Sequence, residues 1–269
     1  MQQTGQPLGQ DAKRWWRHLL GKPRTWLVAW PEKLLTDKEY ADFGSLVTRR
    51  TEGAPVAYLT GEREFWSLTF AVTPDTLIPR PETELLVSAV LELYGENETL
   101  TLVDMGTGSG AIAIAIAREK PAWEIIATDS SQAALAVAEG NARKHEVSTI
   151  QFMLGDWYGA LPPIQVDVIV SNPPYVASGD PHLQQGDVRH EPVSALAAGE
   201  DGLDEIRKLL PGAMQHLKNG GRILLEHGND QGAAVRQLMQ HHGYRDVHTL
   251  RDLEGHERVT HGTYFTMPL

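Results

Sequence analysis

From residue 98 onward, short apolar runs alternate with stretches of helical period, and few folds accommodate that order. The runs at 100–103, 124–128, 149–154, 166–171 and 222–226 have the length and β-branched content of buried strands. Helical patterns at 110–120, 131–145, 203–217 and 230–242 fall between or after them. This alternation implies a parallel sheet with helices on both faces. Two final apolar segments, 247–250 and 259–266, are separated by a charged turn and are expected to form an antiparallel pair closing one edge. Residues 111–117 alternate Ala and Ile, which by period alone is a strand. A strand there would leave no chain for the crossover that parallel neighbours need, so the segment is read as helix.

Ahead of the sheet the pattern is helical. Residues 1–10, rich in Gln and Gly, are expected to be disordered. A helical stretch at 11–20 carries Trp15 and Trp16, Lys22-Pro23 breaks it, and 25–29 forms a further turn. Thr36 and Glu39 have capping-box spacing, and Tyr40, Phe43, Leu46 and Val47 fall on one face of the helix that follows, which Gly53 and Pro55 end. At 61–73 the period becomes strand-like, with Phe65, Trp66, Leu68 and Phe70. The expected organisation is a helical domain at 1–60, a β-hairpin linker at 61–75 and an α/β domain at 76–269. Pro81 suits the first position of a helix running to Tyr94, with Glu82 and Glu84 at its positive end, and Arg80 is read as a structural ion-pair partner.

Composition excludes several function classes. A formal net charge of −11 argues against broad affinity for nucleic-acid backbones. There is no cysteine, so disulfides and thiolate zinc sites are ruled out. The eleven histidines show no spacing with carboxylates suited to a metal, and no metal is expected. No apolar stretch approaches the ~20 residues of a membrane span, and residues 1–10 lack a signal-peptide core, so a cytoplasmic protein without membrane partners is expected.

Three motifs carry chemistry. Asp104-Met105-Gly106-Thr107-Gly108-Ser109-Gly110 follows the first strand of the sheet and opens a helix, a place where glycines allow a tight turn and free N–H groups favour a negative group. Nineteen residues past Gly110, the next strand ends at Asp129, where a carboxylate can accept both hydroxyls of a ribose. Asp156-Trp157, after the third strand, offers a carboxylate and an aromatic surface for an adenine, although a helix cap and a core residue are equally good readings. Gly106, Gly108 and Ala111 also satisfy a dinucleotide fingerprint, so NAD and S-adenosylmethionine both remain open here. Asp104 is awkward beside a pyrophosphate but acceptable beside an ammonium.

The third motif is Asn172-Pro173-Pro174-Tyr175, at the end of the apolar run 166–171. Two prolines stop the strand and hold Asn172 extended at its tip. The Asn172 carbonyl and nearby main-chain carbonyls can then grip a planar group bearing NH2, with Pro174 and Tyr175 as apolar walls. A Pro-rich turn with Tyr175 in the core is the plainer reading of the same four residues.

In this order along one sheet, the glycine loop, Asp129, Asp156-Trp157 and Asn-Pro-Pro-Tyr resemble the class I S-adenosylmethionine (SAM)-dependent methyltransferases. The sequence is most similar to the family that methylates a glutamine of peptide-chain release factors (PrmC, also called HemK), through 63–66, 77–84, 171–175 and 180–189. The resemblance implies a Rossmann-like seven-stranded sheet, mostly parallel with an antiparallel last strand. It also implies SAM wrapped by Gly106, Thr107, Gly108, Ser109 and Gly110, with Asp129 on the ribose and Trp157 by the adenine. Asn172, Pro173, Pro174 and Tyr175 would bind the substrate glutamine, Asn172 also lying near the cofactor, with Asn172, Pro173 and Tyr175 as the catalytic set. The implied partner is a class 1 release factor recognised in part by the helical domain. The alternative is an amino-methyltransferase acting on a nucleic-acid base or another protein glutamine.

Overall fold

The computed structural model describes residues 15, 18–22, 24–30, 32–95 and 98–266, so the disorder expected at 1–10, the helix start at 11–14 and Trp16 lie outside the described residues. The chain divides into two compact units, Met1–Glu62 and Arg63–Leu269.

In the first unit, helical residues at 15 and 18–20 precede α1 (Arg24–Ala29), α2 (Asp37–Thr51) and α3 (Val56–Thr60). The capping box forms: Glu39 N donates to Thr36 Oγ1 at 3.2 Å, and Thr36 N donates to Glu39 Oε2 at 2.8 Å. Leu46, Trp15, Val56 and Leu59 make a small core with Phe43 and Val47 packed against it. Tyr40 departs from the expected face and is 72% exposed. It sits in the first turn of α2.

The hairpin β1 (Glu62–Phe65) and β2 (Leu68–Ala71) begins at the last residue of the first unit and otherwise belongs to the second. Its two-residue turn is Trp66 and Ser67, both at positive φ (51° and 58°), the mirror-image turn that matches strand twist. Asn141 secures the hairpin to the sheet domain: Ala71 N donates to its Oδ1 at 2.7 Å, and its Nδ2 donates to Ala71 O at 3.0 Å and Ser109 O at 2.9 Å. Pro81–Thr83 forms a 3₁₀ turn before α4 (Glu84–Leu93), so the single helix expected from Pro81 begins as a tighter first turn. Arg80 pairs with the buried Glu191.

Seven strands then form one sheet: β3 (Thr101–Met105), β4 (Glu124–Asp129), β5 (Ile150–Leu154), β6 (Val166–Ser171), β7 (Leu217–Glu226), β8 (Arg245–Arg251) and β9 (Glu257–Thr263). The order is β5-β4-β3-β6-β7-β9-β8, with β9 antiparallel to both neighbours and the rest parallel. Four helices accompany it: α5 (Ala111–Glu119), α6 (Gln132–Lys144), α7 (Asp204–His216) and α8 (Gly232–His241). Side-chain alternation splits the core in two: Leu102, Val168 and Val170 pack with α4 and α5, while Val103, Met105 and Ile169 pack with α7 and α8. The Ala/Ile segment is helix α5, buried from Ala111 through Ala117. A helix hidden on every side has no polar face to mark its 3.6-residue period, which is why its sequence mimics a strand.

The chain runs outward from β3 through β4 to β5, then returns to lay β6 on the other side of β3. Reversal of this kind opens a crevice at the carboxyl ends of β3 and β6.

Candidate active site

Register brings three motifs to that crevice. Met105 pairs with Thr128 on one side and Ser171 on the other, so Gly106, Asp129 and Asn172 each begin one residue beyond. Ser171 Oγ donates to Met105 O at 2.7 Å and fastens the two strand tips together.

The glycine turn is folded onto β4. Gly106 N and Thr107 N both donate to Thr128 O, at 2.9 and 2.8 Å. Asp129 accepts from Gly108 N at 2.9 Å and from Ser131 N at 2.9 Å, one on each carboxylate oxygen, leaving lone pairs on both. Asp104 lies beneath the turn, fully buried, with Thr107 Oγ1 donating to its Oδ2 at 2.7 Å; it does not reach the crevice wall. Burial pushes its carboxyl up to about 7, against hydrogen bonds from Thr107 and the Ala113 backbone.

Gly106, Thr107, Gly108, Ser109, Asp129, Asp156, Trp157, Asn172 and Pro174 line one cleft. Trp157 holds a left-handed backbone (φ 42°), rare for so large a residue, and its Nε1 donates to Glu205 Oε2 at 2.8 Å. This fixes the ring beside Gly106, where an added Cβ would stand 3.5 Å from it. Gly110, Pro173 and Tyr175 are not in the cleft wall. Gly110 serves packing: a Cβ there would stand 2.9 Å from Ile114 Cδ1 and 3.1 Å from Ala138 Cβ. Tyr175 turns inward from the strand tip, and burial raises its phenol well above the usual range. Its carbonyl accepts from Gln231 Nε2 at 2.9 Å.

Asn172 Nδ2 donates to Thr83 Oγ1 at 3.2 Å, while Asn172 Oδ1 is buried and has no partner. An unpaired buried amide oxygen is costly, about 1–3 kcal/mol. In a cleft wall it marks an acceptor waiting for a donor.

The rest of the cleft lining includes two segments that motif reading did not single out as site. Thr76, Leu77, Pro79 and Thr83 form one, Pro192 and Ser194 the other. Glu191 joins them: Ile78 N donates to its Oε2 at 3.0 Å, and Arg80 pairs with its other oxygen. The signal available in the sequence was Arg80, whose charge between two prolines required a buried acid. Among the described residues, no group of three or more His, Asp or Glu is placed to hold a metal ion.

Comparison with known proteins accords with this geometry. Residues 81–189 match the family described as methyltransferase small domain, and residues 7–61 match the PrmC N-terminal domain. The chain is 49% identical over 245 residues to the release factor glutamine methyltransferase of Pseudomonas aeruginosa, covering 91% of this chain and 88% of that one. It is 46% identical over 256 residues to the enzyme of the same name from Escherichia coli, covering 95% and 92%. The chain belongs to the release factor glutamine methyltransferase family.

Solved structures agree on the fold. A methyltransferase from Pyrococcus furiosus superposes with a TM-score of 0.58 at 17% identity, covering 83% of this chain and 100% of that one. The catalytic domain of hMettl16 does so with 0.60 at 16%, covering 86% and 83%. As a family member the chain is an enzyme, a SAM-dependent methyltransferase.

Proposed function

We propose that this enzyme transfers a methyl group from SAM to the side-chain amide nitrogen of a glutamine in class 1 peptide-chain release factors, and so modulates translation termination. One observation carries the reading: the unpartnered Asn172 Oδ1 beside the glycine turn, an acceptor without a donor.

The residues present suit the cofactor. Backbone of the Gly106–Ser109 turn would hold the methionine portion, the spare lone pairs of Asp129 would take the ribose hydroxyls, and the Trp157 ring would lie against the adenine. Bound SAM supplies an electrophilic methyl carbon on a sulfonium. The chain's task is to aim a poor nucleophile, because an amide nitrogen shares its lone pair with its carbonyl. Asn172 Oδ1 accepts one N–H of the substrate amide, and Pro174 walls the plane of the amide. Orientation of this kind supplies up to ~7–11 kcal/mol in favourable systems. The same acceptor would stabilise positive charge growing on the nitrogen as the N–C bond forms and the C–S bond breaks, the electron pair leaving on sulfur as a neutral thioether and the nitrogen losing a proton to water. Tyr175 supports the tetrapeptide from behind through its buried ring.

The first unit serves substrate recognition, and the hairpin links it to the catalytic domain. The net charge of −11 supports a protein substrate over a nucleic acid. No helix among the described residues is long and apolar enough to cross a membrane, in keeping with a cytoplasmic enzyme that meets release factors there.

The test uses labelled SAM and a release factor, with and without its loop glutamine. Label on the intact substrate alone is expected; label on both or on neither overturns the assignment.

A further inference from the structure

Trp157 lines the cleft, yet it is held from outside it. The turn Trp157–Ala160 rests on helix α7, and each successive turn of that helix contributes one contact. Glu205 Oε2 accepts from Trp157 Nε1 at 2.8 Å, and Leu209 O accepts from the Tyr158 hydroxyl at 2.7 Å. Gly212 leaves room for the Tyr158 ring, since an added Cβ would stand 2.2 Å from Tyr158 Cδ2, and His216 stacks on that ring with centroids 5.2 Å apart. Positions 205, 209, 212 and 216 lie on one face of a helix. Three of these contacts hold Tyr158, which is not in the cleft wall. Only Glu205 reaches Trp157, which is.

Tyr158 therefore fixes the backbone of the turn, and the rotation of the indole is left to Glu205. An indole has one donor and no acceptor, so one well-placed acceptor settles how the ring is turned. A carboxylate makes that bond charge-assisted. Lys208 Nζ holds the other carboxylate oxygen, Glu205 Oε1, at 2.8 Å. With its polar hydrogen committed to a residue outside the cleft wall, the Trp157 ring offers the cleft apolar surface alone. Its backbone, at φ 42°, is in a region that a large side chain occupies only where the surroundings impose it.

We propose that Glu205 is a positioning residue for the base end of the cofactor, holding the Trp157 indole in the orientation that receives a flat, uncharged heteroaromatic ring. The inference rests on the assignment of the Trp157 ring to the adenine. The glycine turn and Asp129 hold their shape through bonds of their own to β4 and to each other, none of which involves Glu205. Loss of the Glu205 carboxylate is therefore felt by ligands that carry the base and not by the same ligand without it.

The experiment measures, by calorimetry, the dissociation constants of S-adenosylhomocysteine and of S-ribosylhomocysteine, which lacks the base. Glu205→Met keeps the side chain's length without an acceptor, and Glu205→Gln keeps an acceptor oxygen. Melting curves check folding, with Glu205→Ala standing in if Glu205→Met does not fold. Stacking on an aromatic ring is an interaction of the base alone, so Glu205→Met is expected to weaken S-adenosylhomocysteine roughly tenfold and S-ribosylhomocysteine less than about twofold. Glu205→Gln recovers most of the loss. In Trp157→Phe, which keeps a ring but has no N–H, adding Glu205→Met changes either constant by less than about twofold, because the partner it acts through is gone. Equal weakening of both ligands, a Glu205→Gln variant as weak as Glu205→Met, or an undiminished effect in the Trp157→Phe background contradicts the proposal. Trp157→Leu tests the adenine assignment by itself: a preference for the base-bearing ligand as large as the parent's overturns that assignment and the proposal with it. If Trp157→Leu abolishes the preference while Glu205→Met leaves it intact, the assignment stands and the role of Glu205 alone is overturned.

Discussion

Gly108 N donates to Asp129 Oδ2 at 2.9 Å, so the carboxylate at the end of β4 holds the turn at the end of β3. One side chain thereby shapes the loop and presents its remaining lone pairs to the cleft. Asp129→Ala removes both functions. With hydrogen bonds to charged groups contributing about 1.5–3 kcal/mol, SAM affinity is expected to fall roughly 10- to 100-fold, measured by calorimetry. Asp129→Asn, which keeps one acceptor, should lose less.

Two glycines of the same loop separate binding from folding. Gly108 has a left-handed backbone (φ 56°) and open space around it, whereas Gly110 (φ 81°) abuts Ile114 and Ala138. Gly110→Ala combines strain with overpacking, about 1–3 kcal/mol for the latter, and should lower the melting temperature by several degrees. Gly108→Ala carries the strain alone in the folded chain but puts a methyl into the cleft. It is expected to melt closer to the unaltered protein and to bind SAM worse than Gly110→Ala does.

Stability should decline as pH rises from about 3.8 to about 7. Burial lifts Asp104 from 3.8 and Glu226 from 4.5, each to about 7. Their neutral forms are favoured in the folded chain, so the unfolded chain holds fewer protons across that window. The penalty is absent below the unfolded values and complete above the folded ones. Glu226→Gln cannot ionise, and its melting temperature should exceed the parent's at pH 8 by the equivalent of up to about 3 kcal/mol. At pH 4 the two should nearly coincide.

Much of this was legible from local chemistry. Strand–helix alternation yields the sheet because each strand is short, apolar and bounded, and the antiparallel edge follows from the charged turn at 251–258. Topology overrode period correctly for the Ala/Ile segment. Other features were hidden for physical reasons. Trp66 and Ser67 are not residues that advertise a positive-φ turn, and pairing and burial of the flanking strands impose it. Thr83, Glu226 and Asn172 are far apart in sequence, and only the β6–β7 register and the turn before α4 bring them together. Tyr175 reads as a cleft wall from its neighbours, yet it is not among the residues lining the cleft, and Gln231 holds its carbonyl.

The central claim is that Asn172 contributes aim rather than cofactor affinity. The most direct measurement is the single-turnover methylation rate of a release factor by Asn172→Ala, alongside its SAM dissociation constant. Loss of one oriented hydrogen-bonding group that acts in the transition state lowers rates by roughly 100-fold or more. The account predicts a loss of that size with SAM binding within about threefold of the parent, as expected when an interaction is made only in the transition state. A rate that falls only in step with SAM binding, or does not fall, contradicts it.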